Sequence, residues 1–176
     1  MKVKEIASAF IALFKDGDDA ISNLKLQKLL YYAQGFSYQR FNHSLFDEDI
    51  EAWDDGPVVY DVYKHYQSCG RDPIRVSDSV HLPPIIERLV LDVAREYGQY
   101  TTSKLVSMTH RAGTPWAKTY VYGKKRNVIP KSLIADYFSS TEPILESLDI
   151  ESLFSNNDSK LISEKTIIPL SEWDYE

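Results

Sequence analysis

The stretch that decides the fold is LKLQKLLYYAQGFSYQRFNHSLFDEDIEAWDDGPVVYDVYKHY, residues 24–66. In its first half, apolar residues recur at the three- and four-residue spacing of one helix face: Leu26, Leu29, Leu30, Ala33 and Phe36. Leucine and tyrosine side chains add apolar surface elsewhere on the same helix. A helix that is apolar over most of its circumference is typical of the centre of a bundle. The pattern therefore predicts a central helix, capped by Ser22 or Asn23 and fraying near residues 42–44.

The second half of this stretch predicts a change of structure. Residues 45–53 approach an alternation of apolar and acidic side chains, which favours a short strand or a bent extended segment. Gly56-Pro57 then predicts the start of another helix, because proline at the first helical position loses no hydrogen bond. The two aspartates at 54–55 precede this start, where the helix dipole favours negative charge. We expect that helix to end near Gly70.

Capping residues and prolines predict further helices along the chain. Their expected limits are about 3–15, Pro83-Pro84 to Gly98, Thr101 or Thr102 to Met108, Thr114-Pro115 to Gly123, and Pro130 to Phe138. Several short helices with short links indicate a mainly α fold, a compact multi-helix bundle. We expect one minor β element, either a hairpin around residues 45–53 and 73–76 or a strand in the tail.

The composition is that of an ordinary soluble globule. The chain has 176 residues, of which 43% are apolar and 26% charged, and its apolar runs are too short to span a membrane. The lone Cys69 excludes an internal disulfide and fits a reducing cytoplasm. Because the composition of the sequence changes after Ser139, we predict a helical domain over 1–140. We expect an acidic, partly helical extension over 141–176, packed on the domain or bound to a partner.

The chain has a net charge of −6, and all of its excess negative charge lies in this extension. Residues 141–176 contain nine acidic and two basic residues, a net charge of −7. Residues 1–140 contain 17 acidic and 18 basic residues, a net charge of +1. General nucleic-acid binding requires a basic surface that displaces counterions, so direct binding of nucleic acid is not expected.

Sequence motifs of enzymes and metal proteins are missing. There is no glycine-rich phosphate loop and no G-x-S-x-G motif, and the four histidines have no zinc-ligand spacing. The acidic run at 47–55 lacks the glycine and the final glutamate of an EF-hand loop, since Ala52 and Val58 occupy those positions. We therefore predict no enzyme activity, no catalytic residues, no cofactor and no metal site.

Some side chains are open to two interpretations. Tyr31, Tyr32, Tyr60 and Tyr63 belong either to the core or to a partner-facing patch, because tyrosine is enriched at protein interfaces. Trp173, in the apolar segment TIIPLSEW (166–173), is a further candidate for partner binding. For Trp53 and Trp116, core packing alone accounts for their presence, since each ring removes roughly 150–250 Å² from water.

The remaining candidates are polar. His110 is predicted to be a buried imidazole that bonds to backbone at a helix junction, and catalytic or metal use is the alternative. Glu51 lies close to a core tryptophan, so it needs a partner such as an arginine or a backbone donor. The basic run at 124–126 is interpreted as a solvated corner, and contact with an acidic partner or nucleic acid remains open.

Five segments in order resemble the Panacea domain of SocA-like antitoxins. They are LKLQKLLYYAQG (24–35), LF (45–46), EAW (51–53), GPVVYDVY (56–63) and THRAGTPW (109–116). The residues that we take to define this fold are Leu26, Lys28, Leu29, Phe46, Glu51, Trp53, Gly56, Pro57, Val58, Thr109, His110, Pro115 and Trp116.

The resemblance implies a cytoplasmic antitoxin from a bacterial or phage toxin–antitoxin module. Its partner would be a cognate protein toxin, neutralised by direct binding, and the family implies no catalytic residues. Two alternatives stay open: an adaptor that delivers the toxin to a protease, and a small metal-dependent enzyme using His110 and the acidic loop. A homodimer is also left open, and no membrane association is expected.

Overall fold

The computed structural model describes residues 2–15, 21–75, 80–124 and 126–141. These residues form seven α-helices, one short 3₁₀ helix and one two-stranded sheet, which confirms the predicted mainly α fold with a minor β element. In chain order they are α1 (Val3–Phe14), α2 (Asn23–Phe41), β1 (Ile50–Trp53), β2 (Gly56–Val59), α3 (Tyr60–His65), the 3₁₀ helix (Gln67–Cys69), α4 (Pro84–Tyr97), α5 (Thr102–Thr109), α6 (Pro115–Thr119) and α7 (Lys131–Ser139).

Helix α2 is the central helix that the sequence predicts. Every residue from Leu26 to Ser37 is buried, and the helix packs against α1, α4, α5, α7 and β2. The Ser22 hydroxyl caps its start by accepting from the backbone N–H of Lys25 at 3.3 Å. Asn42 closes the other end in the left-handed conformation, at φ 51°, and its N–H donates to the Tyr38 carbonyl.

The polar side chains of α2 hold the irregular backbone around it. The Gln34 side-chain oxygen accepts from the N–H groups of Leu45 and Phe46, at 3.0 and 3.2 Å. The Gln27 oxygen accepts from the N–H of Val59 at 2.8 Å. A buried backbone N–H without a partner costs about 1–3 kcal/mol, so these two glutamines fix where the chain can run after α2.

The hairpin corrects two expectations from the sequence. β1 pairs antiparallel with β2, with Ile50 opposite Val59 and Trp53 opposite Gly56, so 73–76 is not its partner. Residue 73 makes only an isolated bridge to Ser22, and residue 76 lies outside the described residues. Gly56-Pro57 begins β2 rather than a helix, and α3 starts at Tyr60.

The physical reason lies in the conformation of the turn. Gly56 has φ +104°, which is open to glycine and strained for other residues, and which a helix start does not use. Pro57 follows in the outer strand, where proline is tolerated because its missing N–H breaks no sheet hydrogen bond. The other edge of β1 is also covered, since the Ala52 N–H donates to Asn127 O and the Ile129 N–H donates to Ile50 O, both at 2.8 Å.

The other helices begin close to where the sequence predicts. Thr101 and Thr114 cap α5 and α6 with their side-chain oxygens, and Pro83 and Pro130 precede α4 and α7. Helix α6 is shorter than expected, since it ends at Thr119 rather than near Gly123. No helix among the described residues is long and apolar enough to cross a membrane. The predicted extension lies, apart from Thr141, outside the described residues.

Helices α2 and α7 approach each other at Gly35. A Cβ atom added at this glycine would lie 2.5 Å from the ring of Phe138, so only glycine fits there without a shift. Gly35→Ala should therefore destabilise the fold by about 1–3 kcal/mol, the usual cost of overpacking a core. This sign opposes helix propensity, in which alanine exceeds glycine by about 0.8–1.0 kcal/mol. The measurement is the free energy of unfolding in urea.

The control is Phe138→Leu, made alone and together with Gly35→Ala. If the ring causes the clash, Gly35→Ala should cost less in the Phe138→Leu background than in the wild-type chain. An equal or greater cost in both backgrounds would contradict this account of the contact.

Candidate partner-binding groove

An open groove of about 810 Å³ lies between the start of α2, the hairpin, α3 and the segment after α6. Three aromatic side chains, Trp53, Tyr60 and Tyr63, line it, and we call it the aromatic groove. All three are half-buried, so part of each side chain remains accessible to a partner. Pockets that combine apolar walls with a few polar groups are where proteins commonly bind ligands and partners.

The three rings support one another. The Trp53 and Tyr63 rings meet edge to face with centroids 4.8 Å apart, and Tyr60 lies 6.4 Å from Trp53. The Trp53 indole N–H donates to the Glu51 carboxylate at 2.7 Å. Glu51 is buried, and this indole is its hydrogen-bond partner in place of the arginine or backbone donor that the sequence suggested. The Asn23 amide donates to the Tyr63 carbonyl at 3.0 Å and so ties α3 to α2.

Both signs of charge border the aromatic groove. Asp54 and Asp55 lie exposed in the hairpin turn. Arg71, Lys124 and Arg126 also line the groove. The Arg126 guanidinium lies 5.2 Å from the centroid of the Tyr60 ring, a distance at which a cation is attracted to the ring face. The basic run, predicted as a solvated corner, therefore borders the groove, and no sequence motif pointed to Arg71.

A stack of three rings stands behind the hairpin turn. His110 and Trp116 stack at 3.7 Å with a 4° angle between planes, and Trp116 stacks on Tyr120 at 4.5 Å. The Trp116 indole N–H donates to the Trp53 carbonyl at 2.8 Å, and the Tyr120 hydroxyl donates to Asp54 at 2.7 Å. The stack therefore joins α5 and α6 to the turn that carries the groove's acidic side.

His110 differs from its predicted state. It is half-buried, and its main contact is the ring stack rather than a bond to backbone. Its Nε2 atom is buried and has no hydrogen-bond partner among the described residues. Burial lowers the pKa of His110, the nearby Lys28 lowers it further, and Asp55 opposes both. The net effect lowers the pKa of His110 and favours its neutral imidazole.

Lys28 is completely buried beneath the hairpin. Its ammonium donates to the Pro57 carbonyl at 3.0 Å, and its side chain is 0% exposed. A Cβ atom at Gly56 would lie 2.9 Å from both Lys28 Nζ and Thr109 Oγ1, so the glycine is required by space as well as by φ. Burial lowers the pKa of Lys28 to about 7, and Asp55 opposes this shift.

The motif residues that the sequence singled out therefore meet in space. Lys28, Gly56-Pro57, Thr109-His110 and Trp116 come from α2, β2, α5 and α6 and converge behind the hairpin turn. The other apolar motif residues are buried in the core: Leu26, Leu29, Phe46, Val58 and Pro115. These residues support the groove and do not line its accessible surface, except for Val58.

The four tyrosines divide into two pairs. Tyr31 and Tyr32 are buried, at 2% and 6% exposure, and the Tyr32 ring stacks on Tyr97 at 3.7 Å. They are core residues, and their assignment to a partner-facing patch is corrected, because a buried ring offers no surface to a partner. Tyr60 and Tyr63 line the groove. Trp173 lies outside the described residues.

Within the described residues, no group of three or more histidine, cysteine, aspartate or glutamate side chains could hold a metal ion. The acidic residues of the hairpin turn instead bond to Tyr120 or face solvent. The arrangement offers aromatic faces, hydrogen-bonding groups and charges on one accessible surface, and this combination suits binding.

Comparison with known families identifies the class of protein. The family described as "Antitoxin SocA-like, Panacea domain" matches residues 26–117, which include most of α2, the hairpin and Trp116. The chain therefore belongs to this family. The Panacea resemblance drawn from the motifs is confirmed.

A particular relative is also similar to this chain. Antitoxin SocA of Caulobacter vibrioides (strain NA1000 / CB15N) is 34% identical over 116 residues, which cover 56% of this chain and 60% of the relative. The match therefore spans less than two thirds of that protein's length. No solved structure matches the chain.

The burial of Lys28 predicts a pH dependence of stability. Its pKa is about 7 in the folded chain and about 10.5 in the unfolded chain. Between these values the unfolded state binds a proton that the folded state lacks, so stability should rise with pH. The slope is at most about 1.4 kcal/mol per pH unit, the value for one proton. Urea unfolding at intervals from pH 7 to 9.5 measures it.

Lys28→Met should remove this rise, because it removes the group that titrates. Lys4→Met, at an exposed position of α1, is the matched control and should keep it. The range ends below pH 10 because burial raises the pKa values of Tyr31, Tyr32 and Tyr97, which reverses the slope at higher pH. The same slope in Lys28→Met and in the wild-type chain would show that Lys28 is not its source.

Proposed function

We propose that this chain is a cytoplasmic antitoxin that neutralises a cognate protein toxin by binding it directly. Membership of the SocA-like family supports an antitoxin role. The similar protein from Caulobacter vibrioides is itself named an antitoxin. The single cysteine, Cys69, is a free thiol, in keeping with a reducing compartment.

The aromatic groove is the observation that carries this proposal. Tryptophan, tyrosine and arginine dominate the residues that supply binding energy at protein interfaces, and Trp53, Tyr60, Tyr63 and Arg126 lie together here. Their contacts with one another already restrict their rotamers. A partner therefore meets side chains that lose little further conformational entropy on binding.

The acidic extension has a second role in the proposal. Residues 141–176 carry a net charge of −7, while residues 1–140 carry +1. A strongly negative segment attracts a cationic surface over several ångströms and raises the rate of association at low salt. We propose that this segment steers the toxin and covers a basic part of its surface.

The test of the groove is co-expression with the product of the neighbouring reading frame. We expect that product to arrest growth alone, and this chain to relieve the arrest and co-purify with it. The double variant Tyr60→Ala/Tyr63→Ala should weaken binding at least about tenfold, because it removes two of the three groove aromatics. Affinity is measured by isothermal titration calorimetry on the purified proteins.

Tyr137→Ala is the matched control, since this half-buried tyrosine on α7 also contacts a neighbouring ring but does not line the groove. It should bind like the wild-type chain. Equal affinity of the groove variant and the control would exclude the groove. Loss of the toxin from cells on co-expression, restored by removal of proteases, would indicate delivery to a protease instead of a stable complex.

Removing residues 142–176 tests the acidic extension. The truncated chain should bind the toxin more weakly, and its affinity should fall less between 50 and 300 mM salt, conditions that span a large change in screening. A full-length variant with every acidic residue of 142–176 changed to its amide is the control for length. It should behave like the truncation, because charge is the proposed cause. Binding and salt dependence equal to wild type would refute the role of the extension.

A further inference from the structure

A loop beside the aromatic groove exposes large apolar side chains. Tyr122 is 88% exposed and Val121 53% exposed, and Val128 nearby is 41% exposed. These three are the exposed large hydrophobic residues among those that the structure describes. We call residues 121–126 the basic loop, because its sequence VYGKKR contains three cations and no acid. Clustered exposed apolar residues with a charged border mark surfaces that contact partners.

Both ends of the basic loop are held by the fold. Before it, Tyr120 stacks on Trp116 and donates to Asp54. After it, residues 127–129 lie against β1, with an isolated bridge between Val128 and Glu51 and two backbone hydrogen bonds of 2.8 Å. The Asn127 amide donates to the Thr119 carbonyl and closes the base of the loop. The loop is therefore presented on a fixed support.

The loop backbone is turned in a defined way on either side of residue 125, which lies outside the described residues. The Lys124 N–H donates to the Val121 carbonyl at 3.0 Å, and Gly123 has φ +75°. Arg126 has φ +55°, an uncommon conformation for a residue other than glycine. This conformation accompanies the position of its guanidinium over Tyr60. Backbone strain persists where surrounding contacts over-determine a conformation, and such residues cluster at functional sites.

The basic loop lies after the part of the chain that matches the family. Trp53, Tyr60 and Tyr63 lie within residues 26–117, which match the family, and the basic loop begins after them. Lys124 and Arg126 line the same groove as these aromatics. Most of the groove lining thus lies in the part that matches the family, and Lys124 and Arg126 lie in the part that follows it.

We propose that the basic loop determines which toxin this chain binds. Tyr122 enters an apolar pocket on the toxin, and carboxylates around that pocket pair with Lys124 and Arg126. This inference rests on the proposed function, since it names the surface and the partner chemistry of the same binding event. Tyrosine suits the role because its ring fills a pocket while its hydroxyl bonds at the border. The local charge selects an acidic border, because like charges brought together reduce affinity.

Charge also argues against a second copy of this chain as the occupant. In a symmetric dimer with the basic loop on its two-fold axis, the cations of one loop would face those of the other. The acidic segment 142–176 of the same chain is a different candidate, because its charge is complementary. The experiment therefore includes it.

The experiment compares the affinities of full-length variants for the product of the neighbouring reading frame. Tyr122→Ala should weaken binding about tenfold or more, and Lys124→Glu/Arg126→Glu should weaken it at least as much. Lys4→Glu/Lys104→Glu is the matched control: it makes the same change in net charge at two exposed positions of α1 and α5. Its affinity should stay within about twofold of wild type. Thermal unfolding of each variant checks that the fold is kept, which we expect because Tyr122 and Lys124 are exposed.

The outcomes are distinct. Wild-type binding that the loop variants do not weaken would overturn the role of the loop and leave the proposed antitoxin function standing. Failure of the wild-type chain to bind or neutralise the product would overturn both.

Self-association that Tyr122→Ala abolishes, measured by analytical ultracentrifugation, would assign the loop to a second copy. Binding of a labelled peptide of residues 164–176 to the chain lacking 142–176, lost on Lys124→Glu/Arg126→Glu, would assign it to the chain's own tail. Either result would overturn the proposal.

Discussion

The structure depends on hydrogen bonds between buried polar side chains of α2 and the backbone around it. The Gln34 oxygen accepts from the N–H groups of residues 45 and 46, and the Gln27 oxygen accepts from the N–H of residue 59. Lys28 donates to the carbonyl of Pro57. Each of these backbone groups is buried and would otherwise cost about 1–3 kcal/mol. Because one rigid helix satisfies them all, the path of the chain from the end of α2 through the hairpin is fixed relative to the core.

These hydrogen bonds also fix the position of the aromatic groove, which we propose as the toxin-binding surface. The hairpin is held on one edge by α2 and on the other by residues 127–129, so its turn cannot shift without losing bonds on both sides. Trp53 stands at the end of β1, and α3 follows β2 directly, which brings Tyr60 and Tyr63 to the same side. The ring stack of His110, Trp116 and Tyr120 supports the turn from behind. The groove is a consequence of how the hairpin is anchored.

The burial of Lys28 has an electrostatic cost that destabilises the fold. Lys28 donates its hydrogen bond to Pro57 whether or not it is charged, and burial favours its neutral form. His110, close to it, is also displaced toward its neutral form by burial and by Lys28. Both groups therefore carry less positive charge at neutral pH than they would in an exposed position. The accessible border of the groove, in contrast, carries exposed side chains of both signs of charge.

The sequence by itself determined the helices and their order, because periodic apolar residues, capping threonines and prolines act within a few residues of one another. The helix start predicted at Gly56-Pro57 was wrong, because the same dipeptide suits a helix start and the first positions of an outer strand. Only the φ of Gly56 and the pairing with β1 distinguish the two structures. Burial separated Tyr31 and Tyr32 from Tyr60 and Tyr63, although all four are tyrosines beside apolar residues. The tertiary structure alone decided the groove and the exposure of Tyr122, because they arise from contacts between residues far apart in the chain.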